Sequence, residues 1–345
     1  MGGGEKLAGS SGRKRDDSVD IMKGMLVLQM VLCHCIQFFG RDSKPVQQQI
    51  CDYINLTTFS GFLFTFGLSC WYAYFSRGFR YAAPRMLRTA LKCLAAFWIS
   101  SICYIGLVEL DYYDPRVFGQ ILLLEKYAGW SEFLASFAGV MAAGLLLFSL
   151  FQKQNGYLTA LCLAAGGLLT LIPYDRISDP RAALFVGSAH WITFPVLQYL
   201  FYFAAGVWFS RRKIVWDFRI LLVCAVLTLP ELISYIRGGY LTNRFPPDAW
   251  FLFGAALFLY LYYLLAHALA ARPVFGGICA FLRGIGMNTV FCLLLSNLAI
   301  FSFSAGKFKQ RTFAFALLFD LVLMASIWFI LHLVRTDSRR SSGKN

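Results

Sequence analysis

Long apolar runs recur along the whole chain, and they limit its fold more than any other feature. Each run is about 18 to 25 residues long, and short polar connections separate one run from the next. A helix needs about 20 apolar residues to cross the hydrocarbon core of a bilayer. With 58% hydrophobic and only 14% charged residues, the chain is predicted to be an all-α, polytopic helical membrane protein.

Ten such runs predict about ten transmembrane helices in a single membrane domain, residues 19–335. The glycine-rich, polar segment 1–18 is predicted to be a disordered tail, and 336–345 a second short tail. The predicted spans are residues 20–40, 54–75, 84–108, 131–151, 157–173, 191–210, 218–236, 248–270, 284–303 and 313–334.

Lysines and arginines are divided unevenly between the two sides of the predicted membrane. The side that holds both termini collects nineteen of them, and the other side eleven. Because cytoplasmic connections carry the excess of basic residues, both termini are predicted to be cytoplasmic. The net charge of +14 then reflects orientation and attraction to anionic lipid headgroups. No basic soluble module is present to bind a nucleic acid, so no such partner is expected.

Ionisable side chains lie inside the first apolar run. Lys23 and His34 are eleven residues apart, which is about three helical turns, so they share one face of a helix with Asp20. A titratable group at membrane depth is costly unless it lines a cavity or has a partner. Cys33 and Cys35 flank His34, but adjacent helical side chains point about 100° apart, so no metal site is predicted.

A buried histidine suits several kinds of chemistry. Its ordinary pKa lets it take and return a proton near neutrality, as a general base or as part of a proton relay. Packing between helices through a hydrogen bond is the structural alternative. The residues of the first span do not by themselves decide between catalysis, transport and packing.

The first span resembles the first-helix signature of the membrane acyltransferase-3 superfamily. The segment "DIMKGMLVLQMVLCHCIQFFG" carries Asp20, a basic residue at Lys23 and a histidine eleven positions later at His34. The second span, "TTFSGFLFTFGLS", resembles the F-x-x-S-G-F/Y-L element of that superfamily, with its serine at Ser60. Late segments such as "NRFPPDAWFLFGA" are similar to the heparan-glucosaminide N-acetyltransferase-like branch. One departure is "LLLSN" in the ninth span, where many relatives have a histidine.

The resemblance implies an enzyme that moves an acyl group, usually acetyl from acetyl-CoA, to a hydroxyl or amine of a glycan or similar acceptor. His34 would act as the base or be acylated transiently, Lys23 would hold coenzyme A, and Asp20 would orient Lys23. Arginine holds phosphates well, so basic residues at the start of the third span would meet the donor. The candidate phosphate-binding residues are Arg77, Arg85 and Arg88.

Further polar residues are candidates for the acceptor site. The hydroxyl of Ser60 could donate to the oxyanion, and Asn288 and Asn297 could line the acceptor path, although small and polar residues also serve helix packing. Glu132 and Glu231 are expected to be solvated near the outer surface.

Two alternatives to an acyltransferase stay open. A proton-coupled transporter or flippase could use His34 together with Asp320, for which Lys92 is the other candidate partner. A non-catalytic membrane protein could retain the same fold. The partners expected for the enzyme are the lipid bilayer, acyl-CoA and an extracytoplasmic acceptor, and the expected location is the cell membrane.

Overall fold

The computed structural model describes residues 16–40, 45–110, 114–305 and 311–342, with side chains described through residue 334. Within these ranges the fold is all-helical and contains no β-strand. The α-helices are α1 (Asp17–Phe39), α2 (Pro45–Cys70), α3 (Phe79–Tyr104), α4 (Pro115–Leu122), α5 (Glu132–Leu146), α6 (Phe148–Gln152), α7 (Tyr157–Leu169), α8 (Pro180–Val186), α9 (Val196–Arg212), α10 (Phe218–Gly238), α11 (Ala249–Gly254), α12 (Ala256–Ala270), α13 (Gly276–Gly286), α14 (Thr289–Ala305) and α15 (Phe313–Ser342). Short π-helical segments, Trp71–Phe75 and Ile105–Glu109, follow α2 and α3, and 3-10 turns lie at Tyr174–Arg176 and Pro273–Phe275.

Five helical segments in the described ranges are long and apolar enough to cross a membrane. They are Asp17–Phe39, Phe79–Glu109, Phe218–Gly238, Ala249–Ala270 and Phe313–Val334. A sixth is possible if Pro273–Gly286 and Thr289–Ala305, which are bent by 80° from each other, form one broken span. The predicted number of about ten is not confirmed: α5 and α7 are only 15 and 13 residues long, and α2 and α9 are not among the candidate spans either.

Helix α1 is the central element of the bundle, and α2, α12, α13, α14 and α15 pack around it. Its apolar side chains Met22, Leu26 and Val27 are fully buried. Asp16 caps its beginning by accepting a hydrogen bond of 3.0 Å from the backbone N–H of Ser18. Asp20 and His34 are buried as well, so these two polar residues lie in the protein's interior and not at a lipid-facing surface.

Glycines allow two pairs of helices to cross at very short range. A Cβ atom added at Gly286 of α13 would lie 1.8 Å from the carbonyl oxygen of Asp20 in α1. A Cβ added at Gly206 of α9 would lie 2.0 Å from the carbonyl oxygen of Phe64 in α2. Backbone cannot give way as a flexible side chain can, so only glycine fits at either crossing.

Alanine at Gly286 is expected to force α1 and α13 apart and to destabilise the protein. Overpacking costs about 1–3 kcal/mol, which predicts a melting temperature in detergent lower by roughly 5 °C. Gly276→Ala is the matched control, since it lies in the same helix and an added Cβ would meet nothing within 4 Å. Equal melting temperatures for the two variants would contradict this account of the crossing.

Glu231 is buried, which corrects the expectation that it is solvated. Only 1% of Glu231 is exposed. Its two carboxylate oxygens accept hydrogen bonds from Thr242, one from the backbone N–H at 3.1 Å and one from the hydroxyl at 2.6 Å. The carboxylate therefore ties the connection between α10 and α11 back onto α10, which a solvated side chain could not do.

Candidate functional site

Two cavities lie along α1, one beside each of the two ionisable residues that the sequence singles out. The His34 cavity has a volume of about 410 Å³ and is lined by residues of α1, α2, the turn before α5 and the connection after α10. The Lys23 cavity has a volume of about 390 Å³ and is lined mainly by residues of α2, α3, α5 and α14. Lys23 and His34 thus line separate spaces inside the same bundle.

The two cavities are stacked end to end along the same helices. On α2, Thr58 lines the His34 cavity and Phe62, one turn further on, lines the Lys23 cavity. On α5, the adjacent residues Phe133 and Leu134 line one cavity each. The ring of Phe137 lies 6.3 Å from that of Phe62 and 6.1 Å from that of Phe133, between ring centroids. A thin aromatic partition, Phe62, Phe133 and Phe137, therefore separates the two spaces.

A hydrogen-bond network fixes the orientation of the His34 imidazole. His34 is only 7% exposed, and its Nδ1 lies 3.2 Å from Oδ1 of Asn297 in α14. The amide nitrogen of Asn297 donates to the hydroxyl of Ser100 at 3.2 Å and to the carbonyl oxygen of Trp130 at 3.4 Å. A carbonyl oxygen can only accept, so the amide nitrogen must face Trp130 and the amide oxygen must face His34. His34 Nδ1 then carries the proton, and Nε2 is left as a free base.

Trp130 supports the same imidazole in a second way. Its ring lies edge-on to His34, with 4.9 Å between centroids and 85° between planes. Its backbone φ of 72° lies in the left-handed region that non-glycine residues rarely adopt. Trp130 has this conformation in the turn just before α5, where its carbonyl contacts Asn297 and its ring contacts His34. Backbone strain of this kind is typical of functional sites.

Glu132 and Arg244 bring two charges to the wall of the His34 cavity. Glu132 is 8% exposed, so the expectation that it is solvated is wrong; it lies in the first turn of α5, where free backbone N–H groups favour a carboxylate. The Arg244 guanidinium carbon lies 4.6 Å from the centroid of Phe245 and 5.3 Å from that of Phe194. Burial lowers the pKa of Arg244 below its ordinary value, although arginine keeps its charge.

Lys23 and Asp20 form a close pair at the beginning of α1. Lys23 Nζ lies 3.5 Å from Asp20 Oδ1, and their side chains are 16% and 2% exposed. The spacing of three residues predicted this contact. The ammonium group lines the Lys23 cavity, so Lys23 contributes a positive charge to an internal space.

The predicted phosphate-binding arginines lie together on the protein surface near the Lys23 cavity. Arg85 stacks on the ring of Tyr81, with 3.7 Å from the guanidinium carbon to the centroid, and Arg77 lies 4.6 Å from the same centroid. Arg88 is exposed one turn beyond Arg85. The hydroxyl of Thr89 lines the Lys23 cavity and donates to the carbonyl oxygen of Arg85 at 3.0 Å. We call this group of Arg77, Arg85 and Arg88 the arginine cluster.

The other predicted site residues fall into different places. Asn288 lines the Lys23 cavity and donates to the carbonyl oxygen of Gly284 at 2.9 Å. Ser60 is buried but lines neither cavity. Asp320 and Lys92 form no ion pair within 4 Å among the described residues, so Asp320 is not the partner of Lys92. Within the described ranges, no three His, Cys, Asp or Glu side chains form a group that could hold a metal ion.

The structure adds residues that the sequence did not single out, above all Trp130 and Arg244. Arg244 is one of the eleven basic residues on the side opposite the termini, and no local pattern in the sequence indicates that its connection lines the His34 cavity. Trp130 could have been noticed in the sequence only because it lies directly before the predicted span 131–151. Asn297, a candidate for the acceptor path or for packing between helices, has its amide oxygen against the His34 ring.

The fold and the cavities define a multi-pass helical membrane protein in which an oriented histidine lines a cavity of about 410 Å³. The model of the family "Heparan-alpha-glucosaminide N-acetyltransferase, catalytic" matches residues 15–214, and the chain belongs to that family. The match includes Lys23, His34 and Trp130 and ends before Arg244 and Asn297. No curated protein and no solved structure matches the chain. Membership of the wider acyltransferase-3 superfamily stays a prediction.

Proposed function

We propose that the protein is an integral membrane acetyltransferase that moves an acetyl group from acetyl-CoA to an amine or hydroxyl of a glycan. The observation that carries the proposal is the His34 imidazole, whose Nδ1 is bonded to Asn297 and whose Nε2 is left as a base. It lines a cavity next to a second cavity that Lys23 lines. The family, whose catalytic domain is that of an acetyltransferase acting on a glucosaminide, supports the reaction class.

The donor would approach from the end of the bundle that carries the arginine cluster. Coenzyme A bears a pyrophosphate and a 3′-phosphate, and arginine forms forked hydrogen bonds with phosphate oxygens. Its flexible pantetheine arm is thin enough for the Lys23 cavity, where the Lys23 ammonium would attract the anionic donor. For transfer, the rings of Phe62, Phe133 and Phe137 would move aside so that the thioester enters the His34 cavity.

The acceptor would occupy the His34 cavity. Its nitrogen or oxygen attacks the thioester carbonyl carbon while His34 Nε2 takes the proton that the nucleophile loses. The carbon–sulfur bond then breaks, coenzyme A leaves as a thiolate, and the proton on His34 neutralises that thiolate. A free, correctly oriented Nε2 is what this step requires, and the hydrogen bond at Nδ1 supplies it.

A second route uses His34 as a nucleophile. Nε2 attacks the thioester, coenzyme A leaves, and the acetyl group stays on the imidazole until an acceptor takes it. The two routes differ in one observable, because only the second leaves labelled acetyl on the protein when the acceptor is omitted. The same oriented Nε2 serves both routes.

The uneven charges of the connections support an orientation with the arginine cluster in the cytoplasm and the His34 cavity toward the opposite face. In this orientation acetyl-CoA is used from the cytoplasm and the acceptor is modified on the other side of the cell membrane. Two stacked cavities separated by a thin partition suit such a transfer across the bilayer.

Charge removal in the arginine cluster is expected to weaken donor binding. The double variant Arg85→Ala, Arg88→Ala should raise KM for acetyl-CoA about 3- to 10-fold and leave kcat little changed, because exposed charge contacts to phosphate are individually modest. The measurement is initial-rate kinetics at low and at high salt, since screening should shrink the difference.

Two controls make this test specific. Arg116→Ala removes an exposed arginine of α4, outside the cluster, and should leave KM unchanged. S-acetyl-pantetheine carries no phosphate, so wild type and the double variant should use it equally well. A double variant that loses activity equally with acetyl-CoA and acetyl-pantetheine would show a structural defect instead of lost phosphate binding.

The reaction itself is tested with purified protein in detergent, radiolabelled acetyl-CoA, and glucosamine or a glucosaminyl disaccharide as acceptor. Transfer of label to the sugar supports the proposal. The transporter alternative, with His34 and Asp320 as proton sites, predicts instead no acetyl-CoA turnover and uptake into liposomes driven by a pH gradient. Absence of both results would favour a non-catalytic membrane protein.

A further inference from the structure

A third cavity lies between α9 and α10, two helices that follow one another along the chain but pack on different neighbours. Helix α9 packs mainly on α2 and α7, whereas α10 packs on α11 and α12. The space between them has a volume of about 380 Å³, and residues of α2, α7 and α12 complete its wall. Pockets that hold small organic ligands have volumes of about 300–1,000 Å³, so this space, the α9–α10 cavity, is large enough for a ligand.

The wall of the α9–α10 cavity is apolar and offers little to water. Two tyrosine hydroxyls in it already have partners: Tyr202 donates to the carbonyl oxygen of Leu252 at 2.9 Å, and Tyr260 accepts from the backbone N–H of Asp217 at 2.8 Å. A water molecule in a cavity needs two to four polar partners. The apolar wall residues include Leu163, Phe201, Ile220, Val223, Leu227 and Leu259. Such a wall suits a hydrocarbon chain.

Lipid can reach this cavity along α10. The helix is one of the candidate spans, and its side chains Leu222 and Val226 are more than half exposed. In a bilayer these side chains contact acyl chains. Val223 is also more than half exposed and lines the cavity. An acyl chain can therefore enter the space between α9 and α10 from the surrounding lipid.

Positive charge collects where the two helices are joined. Arg212, Lys213 and Arg219 are exposed there, and Arg219 also lines the cavity. In the part of the chain that the structure describes, no carboxylate oxygen lies within 4 Å of any of these three cations. Asp217 caps α10 by accepting from the backbone N–H of Arg219 at 2.8 Å. The end of the cavity near this connection thus has an excess of positive charge.

Two aromatic residues indicate that the same connection lies at the level of the lipid headgroups. Trp216 and Phe218 are 62% and 65% exposed, and aromatic side chains are enriched at the boundary between membrane and water. The connection belongs to the predicted side of the termini, where anionic lipids attract basic segments. A lipid phosphate would be at the height of Arg219 while its acyl chain extends along the cavity.

We propose that the α9–α10 cavity binds an anionic glycerophospholipid. One acyl chain fills the gap between the helices, and the phosphate binds Arg219 together with Arg212 and Lys213. Burial of the chain favours binding, and the three cations select an anionic headgroup over a zwitterionic one. The bound lipid joins α9 to α10 in place of direct side-chain packing, and this role does not depend on acetyl transfer at His34.

The test adds defined lipids to the full-length protein purified in detergent and measures its melting temperature. Dioleoyl phosphatidylglycerol should raise the melting temperature of the wild type by about 5 °C more than dioleoyl phosphatidylcholine, because a ligand that binds only the folded state stabilises it. Glycerol 3-phosphate, which has the phosphate but no acyl chain, should give no shift. Native mass spectrometry should show one retained phosphatidylglycerol molecule.

The charges are tested by the double variant Arg212→Gln, Arg219→Gln. It should lose the difference between the two lipids and retain phosphatidylglycerol no better than phosphatidylcholine. Arg272→Gln is the matched control, because Arg272 is an exposed arginine in another connection on the same predicted side, and the difference between the lipids should survive in it.

The cavity is tested by filling it. Ala205 lines it from α9 and Cys224 from α10, so Ala205→Phe and Cys224→Phe each place a ring where the acyl chain would lie. Either variant should lose most of the shift caused by phosphatidylglycerol. If one of them fails to fold, the other decides.

Three results would overturn the proposal. Equal shifts with the two lipids in the wild type would remove the selection of an anionic headgroup. A full shift with glycerol 3-phosphate would mean that a free phosphate binds at the surface. An unchanged shift in a folded cavity-filling variant would place the lipid outside the cavity. Acetyl transfer is measured separately, so its absence would leave the lipid result standing.

Discussion

Replacing His34 by alanine is expected to lower kcat for acetyl transfer by about 10²- to 10⁴-fold, which is what a positioned general base contributes. The imidazole is the titratable group of the His34 cavity whose free nitrogen is set by a hydrogen bond on its other side. Alanine leaves Asn297, Trp130 and the cavity wall in place and supplies no proton acceptor. The measurement is label transfer from acetyl-CoA to glucosamine at saturating concentrations of both.

A lower kcat of His34→Ala reports on catalysis only if the variant folds as the wild type does. His34 lines a cavity, so its truncation should leave chromatographic behaviour and KM for acetyl-CoA close to those of the wild type. His332→Ala is the matched control, because it removes an exposed histidine that lies against Trp328 of α15. A His34→Ala protein with wild-type activity would remove the mechanism, and one that no longer binds acetyl-CoA would point to a structural role.

Much of the fold follows from the hydrophobic pattern, and the irregular parts do not. Every predicted span overlaps a helix, because long apolar runs leave few other backbone solutions in lipid. The helix breaks at Ala255, between α11 and α12, and bends by 80° between α13 and α14. Neither break contains a proline from which it could be predicted. Such breaks depend on packing between distant helices, which a single run of sequence does not encode.

The candidate site shows the same division between local and distant information. Asp20, Lys23 and His34 stand out because ionisable residues are costly in an apolar run. The partner of His34 could not be read from sequence, since Asn297 lies 263 positions away and polar residues in spans commonly serve packing. The position of Arg244 in the cavity wall could not be predicted for a different reason. A basic residue in a connection is ordinarily explained by the orientation of the chain in the membrane.

Leucine at Asn297 is expected to lower kcat about 10²-fold while KM for acetyl-CoA changes little. The amide oxygen accepts from Nδ1 of His34, and its amide nitrogen is anchored to Ser100 and to the carbonyl of Trp130. Leucine is close in size but cannot accept, so the imidazole is free to carry its proton on Nε2, where it cannot act as a base or nucleophile. In the proposed mechanism the donor binds in the Lys23 cavity, which Asn297 does not line, so the effect should fall on kcat.

Rescue by aspartate distinguishes positioning from packing. A carboxylate at position 297 can still accept from Nδ1 of His34, so Asn297→Asp should be at least about 10-fold faster than Asn297→Leu, even though it loses the two anchoring donors and is less stable. Ser296→Ala is the matched control, because Ser296 is fully buried in the same helix and its hydroxyl bonds, within the described part of the chain, to the carbonyl of Leu293 at 3.0 Å. If the activities of the Leu and Asp variants instead follow their melting temperatures, Asn297 stabilises the bundle and does not set the tautomer of His34.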